Sequence, residues 1–236
     1  MVKAREFYSK LFGWTYIVAA AEMGYYSTAQ LNGHVVAGMG QPPEGTNMPA
    51  AWSVMLATDD IKADVAKIHQ LGGQTLFEPM EIPAQGMMAM LADPTGAVFG
   101  LWQAGNHIGA TLTEVPGTMV WCEVNSRNAV KARDFYCAMY GLKGVPMEGA
   151  PIEYYMLQRG EANLAGVLQM DQNWPDSIPA HWIAYFAVAN ADETAKLAVQ
   201  SGGKVQVEPF DGPQGRIAWI VDPLGAVFAV FARPAA

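Results

Sequence analysis

"DPTGAVFGLWQ" occupies residues 93–103 and "DPLGAVFAVFA" residues 222–232. Asp–Pro–x–Gly is turn chemistry: the proline ring fixes φ, and the glycine supplies the positive φ that closes the turn. The apolar, aromatic and β-branched residues that follow read as a strand. The chain carries this turn and strand twice, and the surrounding segments repeat with it. "KAREFYSKLFGW" (3–14) matches "KARDFYCAMYGL" (131–142), and "YYSTAQLNGHVVAGM" (25–39) matches "YYMLQRGEANLAGVL" (154–168). "PAAWSVMLATDD" (49–60) parallels "PAHWIAYFAVAN" (179–190), and "LGGQTLFEP" (71–79) parallels "SGGKVQVEP" (201–209). The order is the same in both copies and the offset stays between 128 and 130 positions. A long self-match at fixed offset is the mark of a duplicated structural unit. The seam falls in "AGNHIGATLTEVPG" (104–117), which gives a first domain over 1–105, a linker over 106–117 and a second domain over 118–236.

Each half divides again. "TMVWCEVNS" (118–126) has strand composition, and "AVKARDFYCAMY" (129–140) places apolar residues at helical spacing, with Asn128 to cap its start and Gly141 to end it. Short strands follow to about residue 170. Then "HWIAYFAV" reads as a strand, "ADETAKLAVQS" as a helix closed by Gly202–Gly203, and three more strands complete the half. The unit is strand–helix–three strands (βαβββ), four times in the chain, an α+β fold. The first unit opens directly in its helix at Val2–Lys3, with no strand like "MVWCEV" before it. Either the chain starts late relative to the repeat, or the sheet lacks that strand, or something else fills its place. An open sheet position exposes backbone groups that recruit another strand, so a homodimer or a frayed edge is expected there.

Composition narrows the function classes. Of 236 residues, 51% are hydrophobic and 15% charged, enough apolar material for a core rather than a disordered chain. The net charge of −8 argues against nucleic acid or an anionic membrane as partner. No apolar run reaches the 18 residues that suggest a membrane span, and no signal peptide pattern opens the chain. Cys122 and Cys137 are not in metal-ligand spacing and read as free thiols in a reducing cytoplasm. Dinucleotide loops, phosphate loops and nucleophile elbows are absent from the sequence.

The two repeated motifs, the helix "AREFYSKLFGW" with its copy "ARDFYCAMYGL" and the strand "DPxGAVF", resemble the vicinal oxygen chelate superfamily. That superfamily holds glyoxalase I, bleomycin-resistance proteins, fosfomycin-resistance enzymes and extradiol dioxygenases. The resemblance implies modules paired into two glyoxalase-like domains, each curled around a ligand-binding cup. It also implies where a divalent metal would be held in members that use one: on the first strand of a module, and on the last strand seven residues after the motif aspartate. Those positions here are Gly100 and Ala229 on the last strands, and Trp121, Ile183 and the neighbourhood of Ser53 on the first strands. None of the first four offers a metal-binding side chain. No metal and no cofactor is therefore expected at the usual site.

Period-two alternation puts Met119, Trp121 and Glu123 on one strand face and His181, Ile183 and Tyr185 on another, which makes these six the expected lining of the second cup. His181, Glu123 and Tyr185 carry the chemistry: a proton-moving imidazole, a carboxylate that orients it or acts as base, and a hydroxyl donor. Trp121, Met119 and Ile183 are the ligand wall. The first cup has the blander Ala51, Ser53 and Met55. His69 reads as a surface residue near a helix end, His107 lies in the linker, and His34 leads into a strand. The expected function is binding of a small aromatic or amphipathic molecule in the second cup, by sequestration or metal-free acid–base chemistry. The rivals are a metal-dependent lyase or dioxygenase using His34, Glu123 or His181 as unusual ligands, and a non-catalytic structural or dimerisation protein. Elemental analysis of the purified chain is expected to find no stoichiometric divalent metal; close to one Zn, Ni, Fe or Mn per chain would favour the first rival.

Overall fold

The computed structural model describes residues 1–41, 45 and 48–234. Helix α1 (Val2–Phe12) and strands β1 (Thr15–Val18), β2 (Ser27–Leu31) and β3 (His34–Met39) come first. Next are β4 (Met55–Ala57), α2 (Ile61–Gln70), β5 (Gln74–Ile82), β6 (Gly86–Ala92) and β7 (Val98–Ala104). The second half runs β8 (Met119–Ser126), α3 (Ala129–Tyr140), β9 (Lys143–Pro146), β10 (Tyr154–Arg159) and β11 (Ala162–Gln169). It ends with β12 (His181–Ala187), α4 (Ala191–Gln200), β13 (Lys204–Gly212), β14 (Gly215–Val221) and β15 (Val227–Ala232). This is the α+β order expected from the repeat. No helix among the described residues is long and apolar enough to cross a membrane.

Local chemistry sets the helix ends. Asp60 accepts from the Lys62 and Ala63 amides at the start of α2, Asn128 from Lys131 at α3, and Asn190 from Glu193 at α4. Each side chain satisfies amides that have no partner within the helix. Gly141 closes α3 with φ near 64°.

The compact units are not the two sequence halves. One unit contains residues 1–52, 109–120 and 184 onward; the other contains 53–108 and 121–183. The first module thus shares a core with the fourth, and the second with the third. The reason lies in the helices. Ile61, Val65 and Ile68 of α2 need an apolar partner for their buried stripe, and they share one core with Ala132, Phe135, Tyr136 and Met139 of α3. Phe7, Tyr8 and Phe12 of α1 likewise share a core with Ala191, Ala195 and Ala198 of α4. Strands β8 and β12 pass from one unit to the other, between Val120 and Trp121 and between Ile183 and Ala184.

In the first unit β1, β2 and β3 form an antiparallel sheet, and β13, β14 and β15 form another ladder to which the end of β12 adds in parallel. In the second unit the orders are β4-β7-β6-β5 and β8-β11-β10-β9, with the first strand of each module parallel to its last. The expected linker is tied into the first unit. Thr111 N–H donates to the Val35 carbonyl of β3 (2.8 Å), Gly117 N–H to the Ala187 carbonyl (2.8 Å), and Gly117 O accepts from the Trp14 indole (2.7 Å). The same chain therefore meets β3, the strand beside which the absent first strand would lie.

Each unit is fastened by the same buried chain of side chains. Trp182 Nε1–H donates to Tyr136 Oη (2.8 Å), and the Tyr136 hydroxyl donates to Asp93 Oδ2 (3.0 Å). In the other unit Trp52 donates to Tyr8 (2.8 Å) and Tyr8 to Asp222 (3.0 Å). The second oxygen of each aspartate holds its turn, accepting from Thr95 and Ala97 amides or from Leu224 and Ala226 amides. Burial, and then the facing carboxylate, push both tyrosine hydroxyls well above their ordinary pKa, so they stay protonated donors. Tyr8→Phe and Tyr136→Phe should each lower stability by roughly 1–3 kcal/mol, the cost of leaving a buried acceptor unsatisfied. Denaturant unfolding of the two variants checks this; a change below about 0.5 kcal/mol in either would show the link to be idle.

Candidate functional site

Cys122, Val124 and Trp182 belong to the core of the second unit. Alternation along β8 and β12 therefore turns Trp121, Glu123, Asn125, His181 and Ile183 to the opposite face. Glu123 is 4% exposed, and Asn125 is fully buried.

A relay crosses this face. The Trp121 indole N–H donates to Tyr154 Oη (2.9 Å), and the Tyr154 hydroxyl donates to Glu123 Oε2 (2.9 Å). Burial, with the Glu123 charge next, pushes the Tyr154 hydroxyl far above its usual range. It thus remains a proton donor to the carboxylate. Tyr154 reaches Glu123 because β11 has a glycine in its path: a β-carbon at Gly166 would overlap the Tyr154 hydroxyl and crowd Glu123 Cβ at 3.0 Å.

Beyond Glu123 stands a second polar pair. His181 Nδ1 lies 2.8 Å from the Pro179 carbonyl, and His181 Nε2 lies 3.3 Å from Asn125 Nδ2. A carbonyl only accepts, so Nδ1 carries the proton, and Nε2 of the neutral ring presents its lone pair to the Asn125 amide. Burial lowers the His181 pKa, while the Pro179 bond raises it less. The ring is accordingly a neutral base at physiological pH. Trp174, in the loop between β11 and β12, sets its ring 5.9 Å from the imidazole, and Arg127 holds that loop by the Trp174 (3.3 Å) and Pro175 (2.7 Å) carbonyls.

The second unit thus contains Trp121, Glu123, His181 and Ile183 of the expected lining. Tyr185 is buried and registers with Ala229 of β15 in the first unit. Met119 is a correction: it packs against the first unit's core, because β8 is still within that unit at this residue. Tyr154 and Asn125 were not singled out from the sequence. A signal for Tyr154 was present, since the Tyr154–Gly166 pair repeats as Tyr26–Gly38, where a β-carbon on Gly38 would overlap the Tyr26 hydroxyl. Ala51, Ser53 and Met55 are exposed, and the expected first cup has no polar chain like that of the second unit on these three residues.

The donor set does not fit a divalent ion at the family position. A β-carbon at Gly100 would overlap the Met55 thioether, so that place is filled by a neutral sulfur. Ala229 is buried and bears only a methyl group. No group of three or more His, Cys, Asp or Glu converges among the described residues. His34 and His69 are exposed, His69 bonded to Thr75 Oγ1 (2.8 Å), and His107 sets its ring 5.8 Å from Trp102.

Comparison with known proteins agrees with this architecture. The sequence pattern of the Glyoxalase/Bleomycin resistance protein/Dioxygenase superfamily matches residues 1–101. The glyoxylase-like protein CFP32 of Mycobacterium tuberculosis is 41% identical over 98% of this chain and 90% of its own length. The anthracycline biosynthesis protein DnrV of Streptomyces peucetius is 35% identical over 95% of this chain and 86% of its own. Among solved structures, the Mn(II)-bound glyoxalase of Novosphingobium aromaticivorans is similar with a TM-score of 0.66 at 17% identity, covering 98% of this chain and 77% of that one. The 2,3-dioxygenase LapB of Pseudomonas sp. KL28 gives 0.64 at 13% identity, covering 99% and 89%; at such identities both show the fold alone. With two modules per compact unit, the duplicated helix and turn motifs, and full-length relatives at this identity, the chain belongs to the glyoxalase/bleomycin resistance protein/dioxygenase superfamily.

Proposed function

We propose that the chain binds a small aromatic or amphipathic organic molecule against the Trp121–Tyr154–Glu123 face and moves a proton on it without a metal, with His181 Nε2 as the base. The observation that carries this reading is the pairing of a hydrogen-bonded aromatic relay with a neutral imidazole whose tautomer is fixed by a backbone carbonyl. Trp121 and Tyr154 supply ring faces for stacking. Their polar ends are engaged with each other and with Glu123, which fixes the rings before a ligand arrives. Proton transfer needs a group whose pKa lies near or below working pH and whose lone pair is accessible in one geometry. The lowered His181 pKa supplies the first, and the ligand reaches the lone pair by displacing the Asn125 amide that lies 3.3 Å from Nε2. Glu123 lies two residues from Asn125 on the same strand face and is proposed as the carboxylate that holds Tyr154 in place for the ligand. The name of the Streptomyces peucetius relative supports a fused-ring aromatic ligand.

Proton transfer to His181 requires the neutral ring. The expected profile of kcat/KM therefore has an acid limb below pH 6.5, the ordinary His value, and a flat neutral region. A limb above 6.5 would contradict the assignment of His181. His181→Ala should reduce turnover more than affinity, since a base acts mainly in the transition state. Trp121→Ala should weaken a fused-ring aromatic ligand by roughly 1–3 kcal/mol in calorimetric titration. Unchanged affinity in that variant would remove Trp121 from the site. Gly166→Val should displace the Tyr154 ring and abolish binding while α3 and its core remain folded, as read by circular dichroism.

A further inference from the structure

Asn125 is fully buried, and its Oδ1 has no hydrogen-bond partner. Buried side-chain oxygens without a donor are uncommon, because losing water without replacement costs free energy. Rotating the amide does not resolve this. With Oδ1 turned to His181, two acceptors would face each other, since Nε2 of this tautomer has no proton. The Nδ2-to-Nε2 arrangement is therefore the right one, and Oδ1 is left as an acceptor beside an imidazole lone pair held only at 3.3 Å. Glu123, on the same strand face, adds a carboxylate. The neighbourhood is rich in acceptors, and the Asn125 oxygen is the member that lacks a donor.

We infer that Asn125 is a specificity residue: its Oδ1 accepts a hydrogen bond from a neutral hydroxyl group of the ligand, so the site takes hydroxylated aromatic molecules in their protonated form and rejects their O-methyl ethers. This inference rests on the binding face proposed above. It adds the functional group that the ligand must carry. A phenolate or carboxylate would meet Oδ1 and the Glu123 carboxylate with its own negative charge, and an ether or ketone has no proton to give. A neutral hydroxyl supplies the donor that Oδ1 lacks. Recognition that depends on a buried hydrogen-bond acceptor discriminates strongly against an analogue lacking the donor, because the acceptor is then left desolvated and unpaired.

Calorimetric titration with 1-naphthol and 1-methoxynaphthalene tests the inference on the full chain. The two probes share one ring system and differ in the donor. Wild type should bind 1-naphthol about tenfold more tightly. Asn125→Leu, similar in volume and without an acceptor, should bring the ratio near one, whereas Asn125→Asp, which keeps an acceptor oxygen, should retain a preference. Equal affinities in wild type would overturn the inference while leaving the ring-binding face standing, and this is the result expected if a buried water satisfies Oδ1. A preference that survives Asn125→Leu would also overturn it. No binding of either probe would sink the inference together with the proposed function. Should Asn125→Leu fail to fold, the wild-type ratio and Asn125→Asp decide alone: a ratio below about twofold in wild type counts against.

Discussion

The fold depends on a tyrosine hydroxyl buried against an aspartate carboxylate, made once in each unit. Tyr136 meets Asp93, and Tyr8 meets Asp222. In each case the tyrosine sits on a helix and the aspartate at a turn, and the two come from different sequence halves. The bond is therefore a tertiary fastener rather than a local one. One carboxylate oxygen shapes the turn that launches a strand, and the other receives the hydroxyl that anchors a helix. Removing the carboxylate would loosen both at once. That double duty explains why Asp–Pro–x–Gly and Phe–Tyr recur together in the sequence: each is half of one structural part.

Against this shared scaffold the two halves differ in chemistry. Both carry a tyrosine laid over a cross-strand glycine, Tyr26 over Gly38 and Tyr154 over Gly166. Tyr154 goes further and joins Trp121 of β8 to Glu123. The second, neighbouring polar pair, Asn125 with His181, comes from strands that open the third and fourth modules. The scaffold is duplicated and the polar equipment is not. Such asymmetry is consistent with a fold whose stability rests on repeated parts while its other side chains are free to differ.

Much of the architecture was legible in the sequence, and the physical reason is periodicity. Strand alternation around Cys122 and Val124 already fixed the face on which Trp121 and Glu123 lie, and turn chemistry located Asp93 and Asp222. The pairing of modules was not legible. Offsets along a chain say which segments are alike, but not which helix buries its stripe against which, and α2 with α3 is as consistent with the repeat as α1 with α2. Met119 was placed wrongly for the same reason: the alternation is correct, but β8 changes unit between Val120 and Trp121. Asn125 escaped notice because the sequence shows it only as one more residue of the strand 118–126, just past the expected face of Met119, Trp121 and Glu123. Only the geometry shows its amide against His181 and its oxygen without a donor. That Gly100 and Ala229 bring no donor atom to β7 and β15 follows from residue identity alone.

The interleaving of modules has a consequence for biosynthesis. The second unit is complete once residue 183 has been made, but the first unit needs residues 184 onward to cover its opening helix. At ordinary rates of ribosomal elongation, α1 must wait on the order of 10–40 s for its partner. During that interval Phe7, Tyr8, Phe12 and Trp14, all buried in the finished protein, have no α4 to pack against. The nascent chain thus displays this aromatic segment until α4 has followed it. A chaperone that recognises exposed aromatic helices would find its substrate in α1, and the module that carries α4 would be the one that displaces it.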